Sequence, residues 1–151
     1  MKHIVPVFTA LMIFLGACTG ATPMEPPAPI ESEVNPMTID ITVGAQTFTA
    51  ELCDNETARA FAALLPLELN MSELNGNEKY FYLNSSLPTD ASRPDGIHTG
   101  DLMLYGSDCI VLFYESFSTS YSYTPVGRVQ DPEGLAAALG GGNVTVSFKV
   151  R

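Results

Sequence analysis

Between residues 39 and 52 apolar and polar side chains alternate with a period of two: Ile39, Ile41 and Val43, then Phe48, Ala50 and Leu52. Such alternation marks strands with one face on a core, and Gly44-Ala45-Gln46 between them predicts a hairpin. The period then changes. Ala58, Phe61, Leu64 and Leu65 fall on one face at helical spacing, with Asp54 or Asn55 placed to accept hydrogen bonds from the free N–H groups of the first turn. Pro66 stops this helix. Leu67, Leu69 and Met71 alternate again as a short strand, Glu73 to Glu78 is rich in turn formers, and the aromatic run from Lys79 to Leu83 predicts the next strand.

Asn84 to Gly96 is polar, carries two prolines and has no period, so it reads as a long loop of the kind that often borders a site. Leu102 to Tyr105 and Ile110 to Tyr114 read as strands joined by Gly106-Ser107-Asp108-Cys109, and the unbroken apolar character of the second predicts burial on both faces. A Ser/Thr/Tyr segment follows and returns to Val126-Gly127-Arg128-Val129. Asp131 is placed to cap a short helix through Leu135, Ala136 and Leu139 that Gly140-Gly141-Gly142 ends, and Val144, Val146, Phe148 and Val150 alternate as a closing strand. Many short strands, an early and a late helix, and a last strand in need of a partner predict a mainly β domain, a closed barrel capped by two short helices. A β-sandwich is the competing arrangement and accommodates the two helices poorly.

The N-terminal part has a different character. Residues 1–17 carry Lys2 and His3, an apolar run from Ile4 to Leu15, and then Leu15-Gly16-Ala17-Cys18, the arrangement of a bacterial lipoprotein signal. Its apolar run, about a dozen residues, is shorter than the roughly 20 that a membrane-crossing helix needs. Cys18 is the expected lipidation site, its thiol taking the lipid. From there to Pro36, the 18–36 stretch is rich in proline and glutamate and reads as an extended tether, with a ceiling on reach of roughly 55 Å at about 3.1 Å per residue. Residues 37–151 then form one domain of ordinary size. The expected location is the cell envelope, with contact to the membrane through the lipid alone.

Charge narrows the partners. The chain carries a formal charge of −10, which becomes more negative when Lys2 leaves with the signal. No lysine or arginine cluster offsets it, so nucleic acid is not an expected partner, nor is flat docking onto anionic lipid. Three cysteines become two once Cys18 is acylated. Cys53 and Cys109 then read either as one disulfide, favoured by an oxidising compartment, or as two buried thiols. Neither sits in a CxxC pair and the mature chain keeps one histidine, so no metal site or cofactor is expected.

Several stretches resemble the bacterial cyclophilin-like fold proteins: Asp54-Asn55-Glu56-Thr57-Ala58, Leu65-Pro66-Leu67, Glu73 through Tyr80, Gly100-Asp101-Leu102, Phe113 through Phe117 and Thr119 through Thr124. His98-Thr99-Gly100 followed by Leu102-Met103-Leu104 is similar to the His-Thr-Gly turn and strand of the cyclophilin prolyl isomerases, and Val126-Gly127-Arg128-Val129 to their Phe-Gly-Lys-Val segment. The resemblance implies a cyclophilin-like barrel with an apolar-walled groove in which Phe113 or Tyr114 contributes. It does not carry the isomerase activity with it. The isomerases place an arginine in a Phe-His-Arg strand after the first helix, where this chain has Tyr80-Phe81-Tyr82-Leu83-Asn84, and the chain has no tryptophan. Arg59 and Arg93 are the basic residues left to replace that arginine, and neither matches the motif.

Other chemistries are weaker still. His98, Asp101 and Ser116, Ser118 or Ser120 assemble into a hydrolytic triad on paper, but no nucleophile-elbow sequence presents a serine. Glu73, Glu78 and Glu115 read as solvated charges in so acidic a chain. Tyrosines at alternating positions read first as core and rim packing, and second as the wall of a groove, because each joins an apolar body to a hydroxyl. The expected function is therefore a peptide- or small-ligand-binding module, its groove bordered by Tyr82, Phe113, Glu115 and Tyr121. An atypical prolyl isomerase acting on envelope proteins is the alternative.

Overall fold

A computed structural model describes residues 35–151. The signal, Cys18 and most of the tether lie outside the described residues. Eight strands and two helices follow one another as β1 (Thr38–Val43), β2 (Gln46–Leu52), α1 (Glu56–Ala63), β3 (Leu67–Leu74), β4 (Glu78–Tyr82), β5 (Asp101–Tyr105), β6 (Cys109–Phe113), β7 (Thr124–Val129), α2 (Leu135–Leu139) and β8 (Val144–Val150). The strands close into a barrel in the order β1-β2-β7-β5-β6-β4-β3-β8, and every neighbouring pair is antiparallel. Closure leaves no open sheet edge, which is how a small antiparallel domain avoids pairing with other chains.

Period-two alternation fills the barrel. Ile39 and Ile41 of β1, Ala50 of β2, Met71 of β3, Leu104 of β5, Leu112 of β6 and Phe148 of β8 are all inaccessible, or nearly so, and join one cluster. Phe61 of α1 meets Phe148 edge-on at 5.7 Å, and Leu135 and Leu139 of α2 belong to the same cluster, so each helix contributes to the one core. At β2 and β7 the wall is drawn in: a Cβ on Gly127 would lie 2.6 Å from the Glu51 carbonyl oxygen, so only glycine fits.

Local details settle one open sequence expectation, the cap of α1, and depart from three others. Asn55 alone caps α1, its Oδ1 accepting from the Ala58 N–H at 2.7 Å, while Asp54 pairs with Arg59 on the surface. The helix ends at Ala63, one residue before Leu64, which is consequently exposed rather than on the apolar face. Asp131 does not cap α2. Its carboxylate accepts from the Glu133 N–H in the preceding turn, and the helix starts from Gly134 in a left-handed conformation. Strand β3 also runs further than alternation suggested, pairing Glu73 with Lys79 and Leu74 with Glu78 before Asn75 and Gly76 turn the chain at positive φ.

Cys53 and Cys109 are both free, so the structure holds two thiols where a disulfide was the other reading. They belong to different packing layers. Cys53, just past β2, packs on the barrel core and donates its N–H to the Val126 carbonyl, whereas Cys109 packs in a second cluster with Met103, Val111 and Phe113.

Candidate functional site

Strands β5 and β6 are buried on both faces. Leu102, Leu104, Ile110 and Leu112 point into the barrel core, and the alternate residues Met103, Cys109, Val111 and Phe113 form the second cluster outside it, with Ile97 and Tyr123. The expectation of two-sided burial for Ile110 to Tyr114 is met, every residue of β6 being buried. What covers the outer side is the Ser/Thr/Tyr segment after Tyr114. Two antiparallel bridges, Ile97 with Phe117 and Ser92 with Tyr123, tie that segment to the long polar loop, and the Arg93 guanidinium donates to the Thr119 carbonyl at 3.2 Å. The loop from Asn84 to Gly96 thus supports the wall of the site from behind and contributes no lining residue.

Between this segment and the outer face of β4, β5 and β6 lies a cavity of about 470 Å³. Its floor is the sheet. Register sets Tyr80 opposite Val111, and Tyr82 and Tyr105 on either side of Cys109. Phe117, Ser118, Thr119, Ser120, Tyr121 and Tyr123 form one wall, and Leu74, Asn75, Asn77 and Glu78, from the β3–β4 turn and its edges, form the other. The rings are packed at steep angles. Tyr80 meets Tyr82 at 5.9 Å and 81°, and Tyr105 meets Tyr121 at 6.0 Å and 84°, both in the edge-to-face range that aromatic quadrupoles favour. Tyr82, Tyr105 and Tyr121 are nevertheless 58, 42 and 61% exposed, and Leu74 is 41% exposed.

Of the four groove residues expected from sequence, the structure brings two together. Tyr82 and Tyr121 line the cavity. Phe113 does not: it is inaccessible, packed beneath the wall against Phe117 and Tyr123 at 5.7 and 5.5 Å, and so holds the covering segment in place. Glu115 is exposed and outside the lining. Tyr114 points the other way, into the barrel, where its hydroxyl donates to both Glu73 oxygens at 2.9 and 2.8 Å. Sequence reasoning passed over Tyr105 and misjudged Glu78. Tyr105 was discoverable, since it lies two residues from Met103 and so on the same face.

Glu78 is buried, not solvated. Only 9% of the residue is exposed, and its carboxylate has no hydrogen-bond or ion-pair partner among the described residues. Burial first, and the neighbouring Glu73 charge second, raise its pKa above the usual carboxylate range. Beside it Asn77 Oδ1 is buried without a partner. The Cys109 thiol is pushed up to about 11 by burial and by the Asp108 and Glu78 charges, so it stays protonated and is no nucleophile at neutral pH.

The paper triad does not form. His98 Nδ1 lies 3.7 Å from Asp101, but Ser116 Oγ bonds the Thr99 N–H and hydroxyl instead. Asp101 is fully engaged with Arg128 Nε at 2.6 Å and the His98 N–H at 2.8 Å, which fixes the turn before β5 and joins β5 to β7.

The family model described as the cyclophilin-like family matches residues 41–149. The chain belongs to that family. No curated protein matches it in sequence. Among solved structures, the solution structure of a hypothetical protein from Archaeoglobus fulgidus superposes with a TM-score of 0.57 at 20% identity, over 77% of this chain and 95% of that one. At that identity the likeness concerns the fold. This cyclophilin-like barrel carries its cavity on the outer face of β4, β5 and β6, and no arginine or lysine lines it.

Proposed function

We propose that the domain is a non-catalytic binding module of the bacterial cell envelope, held to a membrane by a lipid on Cys18 and a proline-rich tether, and that it takes a peptide segment or small organic ligand in the tyrosine-lined cavity. The observation that carries the reading is the exposure of Leu74, Tyr82, Tyr105 and Tyr121 around one cavity. Large apolar surfaces concentrated in a concave site cost solvation in the free protein and become favourable when a ligand covers them. The cavity's about 470 Å³ falls in the roughly 300–1,000 Å³ range of small-molecule sites.

Prolyl isomerisation is the less supported alternative. It requires a hydrogen-bond donor beside the twisting amide, and Arg93, whose Nε donates to the Thr119 carbonyl, does not line the cavity. An NMR experiment on the full-length protein with a panel of X-Pro peptides and aromatic fragments separates the two. Shift changes confined to the cavity residues, without accelerated cis–trans exchange, are expected. Exchange faster than the uncatalysed rate would move the isomerase to first place, and shifts elsewhere or none would remove the cavity as a binding site.

A further inference from the structure

The cavity holds a chemical asymmetry that a general apolar groove does not need. One side is a set of tyrosine rings; the other carries the carboxylate of Glu78, a residue 9% exposed whose oxygens have no hydrogen-bond or ion-pair partner among the described residues. Leaving a carboxylate desolvated and unpaired is costly, and folded chains normally neutralise it with a basic side chain or open it to water. The contrast within β3 and β4 is direct. Glu73, one strand over, receives hydrogen bonds from Lys79, Tyr114 and the Gly76 N–H, while Glu78, next to Lys79 in sequence, faces the opposite side of the sheet and receives none.

We infer that the cavity is built for a small organic ammonium ion, whose N–H groups are received by Glu78 and whose body is enclosed by the rings of Tyr80, Tyr82, Tyr105 and Tyr121. Aromatic ring faces carry a negative quadrupole that attracts a cation, and four tyrosine rings gathered at one cavity supply such surface. The supply of charge agrees. The chain's formal charge of −10 draws cations toward it, and the lining holds no competing basic group. One carboxylate among aromatic rings is too few oxygen donors for a hard metal ion, which takes six to eight, and suits an organic cation instead.

This inference rests on the cavity being the binding site, and the test keeps the two apart. The full-length protein, which contains no tryptophan, allows its tyrosine fluorescence to be read directly alongside calorimetry at neutral pH. The probes are benzylammonium, which is cationic, and benzyl alcohol, its neutral counterpart of nearly equal size. Benzylammonium is expected to bind at least tenfold more tightly, and Glu78→Gln to abolish that preference while leaving weak binding of the alcohol. Tyr121→Ala is expected to weaken both. Equal affinity for the two probes, or an unchanged preference in Glu78→Gln, overturns the cation inference and leaves the cavity standing. Absence of binding by either probe overturns both.

Discussion

Lys79 is inaccessible to solvent, and its ammonium donates to Glu73 and, at 2.7 Å each, to the carbonyls of Gly140 and Gly142. Three N–H groups meet three acceptors, and the charge also sits 5.1 Å from the centre of the Tyr114 ring. Replacing it with methionine keeps the apolar stem and deletes the charge. Glu73 then retains Tyr114 and the Gly76 N–H, but both glycine carbonyls lose their donor, and with them the attachment of the segment that leads into β8. Breaking a buried pair from one side costs about 3–5 kcal/mol. Because Glu73 is partly solvated, Lys79→Met belongs at the low end, about 3 kcal/mol, or a fall in Tm of about 10–15 °C for a domain of this size.

Chemical denaturation of the full-length protein, followed by circular dichroism, is the assay, with the midpoint moving and the slope unchanged. A pH series checks the cause. Burial would raise the Glu73 pKa, but the hydrogen bonds from Lys79, Tyr114 and Gly76 outweigh it and leave it below the usual range. A lowered native pKa contributes stability above the unfolded value that is lost as pH falls through the native one. The gap between wild type and Lys79→Met should therefore narrow in acid. A cost under about 1 kcal/mol at neutral pH, or a gap that widens in acid, would refute the assignment of Lys79 as the ion that holds this corner.

Glu78 gives the opposite sign. Its raised pKa means the folded state holds the proton to higher pH than the unfolded chain, so stability falls as pH rises from the ordinary glutamate range through the native value. Glu78→Gln should then stabilise the empty protein at neutral pH by on the order of 0.5–1 kcal/mol, with no gain below about pH 4, as read by thermal melts at the two pH values. A less stable variant at neutral pH would show that the carboxylate has a partner. Asn55→Ala removes both the cap of α1 and the 2.9 Å bond from Asn55 to the Pro125 carbonyl, for a loss of about 1–2 kcal/mol in urea unfolding. Gly127→Ala should cost more, about 2–3 kcal/mol, because the new methyl meets backbone of β2 and the strands must part; near-neutral behaviour would contradict the close approach.

The barrel was legible because its strands are segregated: where one face meets the core and the other water, hydrophobic period reports the face directly, as at Ile39, Ile41 and Val43. The same rule loses its grip on β5 and β6, where both faces are apolar and sequence does not say which face a covering segment will take. The family resemblance put Phe113 at the groove surface when it lies beneath it, and compartment and cysteine count alone made Cys53 and Cys109 candidate partners when they pack in separate layers. Charged residues failed for a different reason. Lys79 and Glu78 are adjacent in an acidic, polar-looking turn, yet strand geometry sends one inward to carbonyls far along the chain and the other outward into a ring-lined cavity, and neither destination is local information. The two buried charges differ in one respect that bears on function. Lys79 is fully matched and belongs to the fold, whereas Glu78 is desolvated with its acceptors unused, a cost that packing alone gives no reason to keep and that a cationic ligand would relieve.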